Sequence, residues 1–255
     1  MDCAFWGELA SITGSAMPSD TLKIWDKARR KGVSRACILA IEERGISETN
    51  ISQNRRAIQR LALSCRSKQG MACEILADWT ENGKAIAVNK QKALELYEMA
   101  CELEQMSACT KLGLKAELGD NQPEDPALAA TYYDLACVGG DMGACNNYGE
   151  LLQEGIGIKQ DIDKAIDYYR LACHNKEMNG CNSLGVAHYE GVSVEKNPKM
   201  AILLFEFACR QHEATACYNL AAMLETGSGG IRDGYRAKDY YDKACKGGVV
   251  EACKP

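Results

Sequence analysis

The chemistry of this sequence begins with its sulfur. The 255-residue chain holds 14 cysteines, and twelve fall into six pairs: Cys65/Cys73, Cys101/Cys109, Cys137/Cys145, Cys173/Cys181, Cys209/Cys217 and Cys245/Cys253. The separation within each pair is 8 residues, and corresponding cysteines recur every 36 without insertion or deletion. Paired thiols oxidise to disulfides, ligate a metal, or stay reduced in the core. Structural zinc needs four ligands in close-spaced pairs, and the chain has no C-x-x-C. His174, His188 and His212 occupy unrelated positions of the period and make no ligand set. Disulfides are the favoured chemistry, with metal ligation and buried free thiols as the alternatives. Cys3 and Cys37 break the pattern, because Arg29 stands where Cys37 would find its mate. A bond between these two, or two thiols serving a redox or metal-carrying role, are both open.

A fixed period of this length reads as a helical repeat array. Seven rows, 1–36, 37–72, 73–108, 109–144, 145–180, 181–216 and 217–252, account for the chain, and 253–255 open an eighth. The whole is read as a single repeat domain, 1–255, whose first row is an atypical cap. Position 21 of the last six rows is Ala57, Ala93, Ala129, Ala165, Ala201 and Ala237. Position 25 is Trp25, Tyr97, Tyr133, Tyr169, Phe205 and Tyr241, with Leu61 the exception, and position 28 is alanine or serine from Ala28 and Ser64 to Ala244. Spacings of four and three residues put these positions on one helical face, where small and large side chains alternate in a core.

Boundary residues repeat too. Asn89, Asp125, Asp161, Asn197 and Asp233 hold position 17 as helix caps, and Pro18, Pro126 and Pro198 follow in three rows. The spacing predicts a helix B over positions 18–30, ended by glycines such as Gly139-Gly140 and Gly247-Gly248. A helix A starts near position 34 and stops at Gly83, Gly119, Gly155, Gly191 and Gly227. The fold class is therefore all-α, an α/α solenoid of about seven helix-turn-helix repeats. Helices of about 13 residues are marginal alone, so stacking must stabilise them. One cysteine of each pair falls in the last turn of helix B and the other a turn into the next helix A. A bridge there contributes about 2.5 kcal/mol in the chain-entropy model.

Composition narrows function. Hydrophobic residues make up 46% and charged residues 25%, which excludes a disordered chain. No apolar run approaches the roughly 18–20 residues of a membrane span. A net charge of -5 argues against nucleic acid as a partner. Met1-Asp2-Cys3-Ala4-Phe5-Trp6 leads into the first helix without a basic segment or an apolar stretch. A mature chain whose leader has been removed is expected, with the mitochondrial intermembrane space as the alternative. Nothing catalytic emerges: there is no G-x-S-x-G, no H-E-x-x-H and no phosphate-cradling loop, and Gly227-Ser228-Gly229-Gly230 is a turn. Ser193-Val194-Glu195-Lys196 spells S-x-x-K, but it falls in the loop between helices A and B and lacks S-D-N and K-T-G partners. No metal and no cofactor are expected.

The row from Ala144 to Cys173, A-C-N-N-Y-G-E-L-L-Q-E-G-I-G-I-K-Q-D-I-D-K-A-I-D-Y-Y-R-L-A-C, resembles a Sel-one-like repeat, a relative of the tetratricopeptide repeat. A-C-Y-N-L-A (Ala216–Ala221) and K-A-C-K-G-G (Lys243–Gly248) fit the same pattern. With an 8-spaced cysteine pair per repeat, the chain is similar to the Helicobacter cysteine-rich protein family from about Ala57 to Cys253. The resemblance implies a right-handed superhelix of disulfide-bonded repeats, exported to the periplasm or beyond. It implies a protein-binding scaffold, with immunity or assembly of a secreted protein as one variant. Weak penicillin binding or β-lactam hydrolysis is the alternative that the same resemblance brings.

In that family helix A lines the concave face. With positions 4, 5 and 8 in the core, positions 6, 9 and 10 face outward. In the last six rows these include Glu42, Asp78, Glu81, Glu117, Glu150, Glu154, Glu190 and Glu225, and no lysine or arginine. A lining of one sign suits a basic protein partner; the plain alternative is a solvated helix face. Tyr189 and Tyr218 are candidate anchors within it. Residues 21–70 hold 12 Lys/Arg against 4 Asp/Glu, with Lys23, Lys27, Arg29, Arg30, Lys31 and Arg35 at one junction and Arg55, Arg56 and Arg60 on the second helix B. This basic end is either a second docking patch or a solubilising cap. A monomer is expected.

Overall fold

The computed structural model describes residues 51–253 except 85, 121, 122 and 231, with residues 51–56 described in backbone only. Cys3, Cys37, Glu42, the first row and the basic cluster around Lys23–Arg35 lie outside the described residues. Among the described residues eleven α-helices follow one another without a strand. They are α1 (Ile51–Arg66), α2 (Gly70–Asn82), α3 (Lys90–Glu102), α4 (Met106–Leu118), α5 (Pro126–Val138) and α6 (Met142–Glu154). Then come α7 (Ile162–His174), α8 (Met178–Glu190), α9 (Pro198–Arg210), α10 (Ala214–Thr226), α11 (Gly234–Lys246) and a short 3-10 turn, Val250–Cys253. The odd-numbered helices are helix B of the sequence period and the even-numbered ones helix A. The chain divides into two compact units, Met1–Leu112 and Gly113–Pro255. In the first, α2 packs against both α1 and α3; in the second, each helix from α5 to α11 packs on the next, and α8 also meets α6 and α10.

Caps begin and end the helices where the sequence predicts. The side chains of Asn89, Asp125, Asp161, Asn197 and Asp233 accept from the N–H groups of Lys92, Leu128, Lys164, Met200 and Arg236 at 2.9–3.1 Å. Each satisfies one orphan donor, worth about 1 kcal/mol. Helix A ends on a glycine in the left-handed region, as at Gly83 (φ 68°) and Gly155 (φ 71°). The end of helix B differs from the expectation of glycine. Position 32 is left-handed in every described repeat, yet it is Lys68, Glu104, Lys176 and His212 as well as Gly140 and Gly248. The three-residue link between helices needs this φ at its middle residue whatever the side chain, and an L-residue there costs about 1–2 kcal/mol.

The core repeats with the sequence. Ala93, Tyr97, Ala129, Tyr133, Ala165, Tyr169, Ala201 and Phe205 are buried, as are the alanines of position 28. Close approach is set by glycines of helix A. A Cβ added at Gly113 would stand 2.5 Å from the Tyr133 ring, and one at Gly149 or Gly185 would stand 2.6 Å from Tyr169 or Phe205.

Disulfides join all six pairs, with Cα–Cα distances from 4.4 Å at Cys173–Cys181 to 4.9 Å at Cys101–Cys109. Each ties the last turn of a helix B to the helix A, or the final 3-10 turn, that follows it. The helix A partners of these bridges are also deeply buried. Cys73, bonded to Cys65, and Cys145, bonded to Cys137, are 0% exposed, and Cys217, bonded to Cys209, is 2% exposed. These three, like Cys109 and Cys181 at 0% exposure, are core residues as well as bridge partners. The cause is register: the first position of each row lies on the side of helix A that faces the preceding helix B. Cys217 accordingly packs in one cluster with Phe205, Ala208 and Leu220. Sulfur buried in this way is shielded from exchange, which requires access by an attacking thiolate.

Candidate functional site

The acidic residues of helix A have an internal partner that the sequence reading did not anticipate. The Tyr133 hydroxyl donates to Glu117 Oε2 at 2.7 Å, the Tyr241 hydroxyl to Glu225 Oε2 at 2.8 Å, and the Tyr169 hydroxyl to Gln153 Oε1 at 3.3 Å. In the first unit the Tyr97 hydroxyl lies 2.5 Å from Asp78 Oδ1 and 2.9 Å from Glu81 Oε2, sharing its one proton between them. The rings of Tyr97, Tyr133 and Tyr169 sit in the core and that of Tyr241 is half-buried against it, while each hydroxyl emerges at the helix A face. Burial, reinforced at Tyr97, Tyr133 and Tyr241 by the accepting carboxylates, raises all four hydroxyls above the usual tyrosine range, that of Tyr241 to about 12.

The two units treat their carboxylates differently. In the first, Lys111 Nζ stands 3.0 Å from Glu74 Oε1 and 2.7 Å from Asp78 Oδ1, and 5.4 Å from the Tyr97 ring centre. Burial pulls this ammonium down, but the hydrogen bonds to Asp78 and Glu74 outweigh it and its pKa rises. Glu74 itself is buried and also accepts from Ser107 Oγ at 2.7 Å. Lys111 therefore neutralises an acidic spot at Glu74 and the predicted Asp78, and Glu81 is joined to it through the Tyr97 hydroxyl. In the second unit no Lys or Arg ion pair reaches Glu117 or Glu150 among the described residues. Glu117 holds the Tyr133 hydroxyl, and Glu150 accepts from Asn146 Nδ2 at 2.9 Å. The Glu150 side chain reaches solvent, yet enough protein flanks it that partial desolvation raises its pKa. The Asn146 bond opposes that shift and the Glu117 charge adds to it.

The remaining predicted residues are spread along the second unit. Glu154 accepts from Gln153 Nε2 at 3.1 Å. Glu190 is exposed, and Tyr189 lies under the Lys196 ammonium at 6.0 Å. Tyr218 meets Tyr241 edge-on at 5.5 Å, and with Glu225, Lys238, Asp242 and Glu251 they line a groove of about 660 Å³. Ser193 stands in the loop between α8 and α9 with φ 51°, not on a helix. Neighbouring A helices are also joined by polar pairs that the sequence reading missed. Ser183 Oγ donates to Asn146 Oδ1 at 3.0 Å and Asn219 Nδ2 to Asn182 Oδ1 at 2.8 Å, each across 37 residues. Lys111–Glu74 joins the same two positions of the period. That separation, one more than the period, was the available signal.

Comparison with known proteins follows the architecture. The Sel1 repeat model matches residues 70–104, 107–141, 143–176, 179–212 and 214–249. A Sel1 repeat protein of Oxalobacter formigenes superposes with a TM-score of 0.73 at 24% identity, over 78% of this chain and 80% of that one. An immunity protein of Pseudomonas aeruginosa gives 0.52 at 19% identity, over 78% and 75%. Cysteine rich protein B of Helicobacter pylori is 26% identical over 53% of this chain and 98% of its own, with a TM-score of 0.44. No curated protein matches the sequence. Five matched repeats cover more than half of the chain, each with the capped, stapled helices described above, and the chain belongs to the Sel1 repeat family.

Proposed function

We propose that this Sel1 repeat chain is a non-enzymatic scaffold that binds another protein, one with a basic surface, on the helix A face of its second unit. The observation behind this reading is the Glu117–Glu150 pair. Two carboxylates share one face, close enough for one to raise the pKa of the other, with a hydroxyl and an amide as their hydrogen-bond donors. A lysine or arginine from a partner would relieve that repulsion on docking and gain charge-assisted hydrogen bonds. Glu154, Glu190, Glu225, Tyr189 and Tyr218 extend the same face. In the first unit Asp78 and Glu81 belong to the Lys111 network and contribute less.

Six disulfides are consistent with an oxidising compartment, and we place the chain in the periplasm or outside the cell, with the intermembrane space as the alternative. Immunity to a secreted protein is one form of this role. The Pseudomonas immunity protein supports it through shared fold alone. The hydrolase alternative gains nothing from Ser193, which is borne on a loop. Affinity capture from the native host tests the proposal. Bait with Glu117→Lys and Glu150→Lys is expected to lose the protein that the wild-type bait retains; undiminished capture rejects the acidic face. Nitrocefin turnover by the purified chain would revive the hydrolase reading.

A further inference from the structure

Two pairs of tyrosines meet edge-on in the second unit, and the chain supplies a cation to one of them. Tyr148 of α6 and Tyr168 of α7 stand 5.1 Å apart at 75°, with the Lys164 ammonium over both rings at 5.7 and 5.8 Å. Tyr218 of α10 and Tyr241 of α11 stand 5.5 Å apart at 62°, a notch of the same kind. Lys164 reaches its pair from four residues before Tyr168, whereas four residues before Tyr241 stands Ala237, buried and uncharged. Among the described residues no ammonium or guanidinium lies over the Tyr218 or Tyr241 ring. This second pair lines the groove of about 660 Å³ formed by α10, α11 and the final 3-10 turn. Three carboxylates, Glu225, Asp242 and Glu251, line it against one ammonium, that of Lys238, which leaves a net charge of -2. Asp242 and Glu251 are exposed, and among the described residues neither makes an ion pair or accepts a hydrogen bond. Glu225 accepts from the Tyr241 hydroxyl at 2.8 Å, which fixes the ring and polarises it. The Cys245–Cys253 bridge ties the turn that carries Glu251 to α11, so this wall is held in place.

We propose that this groove binds an ammonium-terminated alkyl chain, with the charged end at the Tyr218–Tyr241 notch and the carboxylates around it. A cationic nitrogen is attracted to the faces of aromatic rings, more strongly where partial burial removes water. Its three N–H groups need acceptors, and Glu225, Asp242 and Glu251 supply them as charge-assisted hydrogen bonds. Lys164 shows that an edge-on tyrosine pair of this protein accommodates a primary ammonium on an alkyl stem. Anionic ligands meet the net negative charge, and neutral ones leave it uncompensated. Such a chain has two sources. One is the lysine side chain of a partner protein; the other is a free aliphatic diamine, whose two charges match the net -2 of the groove. The lysine source deepens the acidic-face reading at Tyr218 and Glu225 and rests on it. The diamine source stands without that reading.

Ligand-observed NMR of the full chain at low ionic strength, where screening is weakest, tests this with two probes. They are 1,5-diaminopentane and a Gly-Lys-Gly peptide blocked at both ends. Saturable binding of at least one probe is expected, with a Kd below about 5 mM, and the tighter probe identifies the source. Asp242→Asn combined with Glu251→Gln alters two exposed side chains and leaves the fold intact; it should weaken that probe at least about fivefold. Tyr218→Leu, with far-UV circular dichroism unchanged, should weaken it about 3- to 10-fold. Lys238→Gln removes the competing ammonium and should tighten it. The neutral counterparts, 1-pentanol and the peptide acetylated on its lysine, should not bind. No saturation by either probe up to about 5 mM, equal binding of the neutral counterparts, or indifference to the carboxylate pair overturns the proposal. Glu117→Lys with Glu150→Lys should leave binding of the probes in place, so failure of the acidic-face reading and failure of this site are told apart.

Discussion

Tyr133 and Glu117 stand sixteen residues apart and are joined by a 2.7 Å hydrogen bond that recurs only where both partners recur. Tyrosine at position 25 is matched by an acceptor at position 9 in Tyr97/Glu81, Tyr133/Glu117, Tyr169/Gln153 and Tyr241/Glu225. Where position 25 loses its hydroxyl, at Trp25, Leu61 and Phe205, position 9 is Leu9, Gly45 and Tyr189. The acceptor and the donor come and go together. Tyr133→Phe should cost about 1 kcal/mol in urea unfolding. Phe205→Tyr should cost about 1–3 kcal/mol by burying an unsatisfied hydroxyl, and Tyr189→Glu in the same chain should recover part of that loss. Equal losses in the single and double variants would show that the pairing is not energetic.

A second prediction separates two glycines of α6. Gly149→Ala drives a methyl into the Tyr169 ring at 2.6 Å, where backbone of α7 also lies within 3.3 Å, and should cost about 1–3 kcal/mol. Gly143, in the first turn of the same helix, meets only the Asp141 carboxylate at 3.3 Å. Gly143→Ala should be neutral or stabilising by up to about 1 kcal/mol. Thermal unfolding of both variants checks the contrast, and similar shifts would reject it.

These two cases also show what the sequence could and could not disclose. The helix bounds, the caps from Asn89 to Asp233 and the disulfide partners follow from local chemistry repeated at a fixed period, so they are legible in one dimension. The depth of Cys73, Cys145 and Cys217 is not, because it depends on how helix A is rotated against the helix B before it. The role of Glu117 is hidden too, since its acceptor duty depends on a ring whose body lies in the core and whose hydroxyl emerges on the neighbouring helix. Lys111 escapes for a similar reason: position 3 is not counted on the face, yet its long side chain crosses to Glu74 and Asp78 of the preceding repeat. The exposure of Leu128, Leu135 and Val138 on α5 is masked by a helix with apolar residues around most of its circumference, where period alone cannot tell core from surface.

Backbone strain gives the third prediction. Lys176 holds φ 66° in the turn before α8, where Gly140 and Gly248 hold the equivalent places one period before and two periods after. Lys176→Gly removes an unfavourable left-handed conformation, at some entropic cost in the unfolded chain. A net gain of about 0.5–1 kcal/mol is expected from chemical denaturation. A loss would mean that the lysine side chain makes a contribution larger than the strain.

Glu150 supplies a pH signature. Its pKa is raised, first by partial desolvation and then by Glu117, so the folded chain favours the neutral carboxyl. The stability it contributes is complete below the ordinary glutamate range and is lost as pH rises through the folded value. Glu150→Gln stays neutral throughout, so it should stabilise the chain at pH 7 and make no difference near about pH 3. A variant that destabilises at neutral pH, or a difference that grows on acidification, would contradict the assignment.

The central claim is that sulfur bridges clip each of the six described helices B, α1 to α11, to the segment that follows. Alkylation of the unfolded, unreduced chain followed by peptide mass spectrometry tests it most directly. The account predicts no label on the twelve cysteines from Cys65 to Cys253 and six linked peptides, each joining residues eight apart. Full labelling of those twelve in protein from its native compartment would contradict both the stapled fold and the oxidising location.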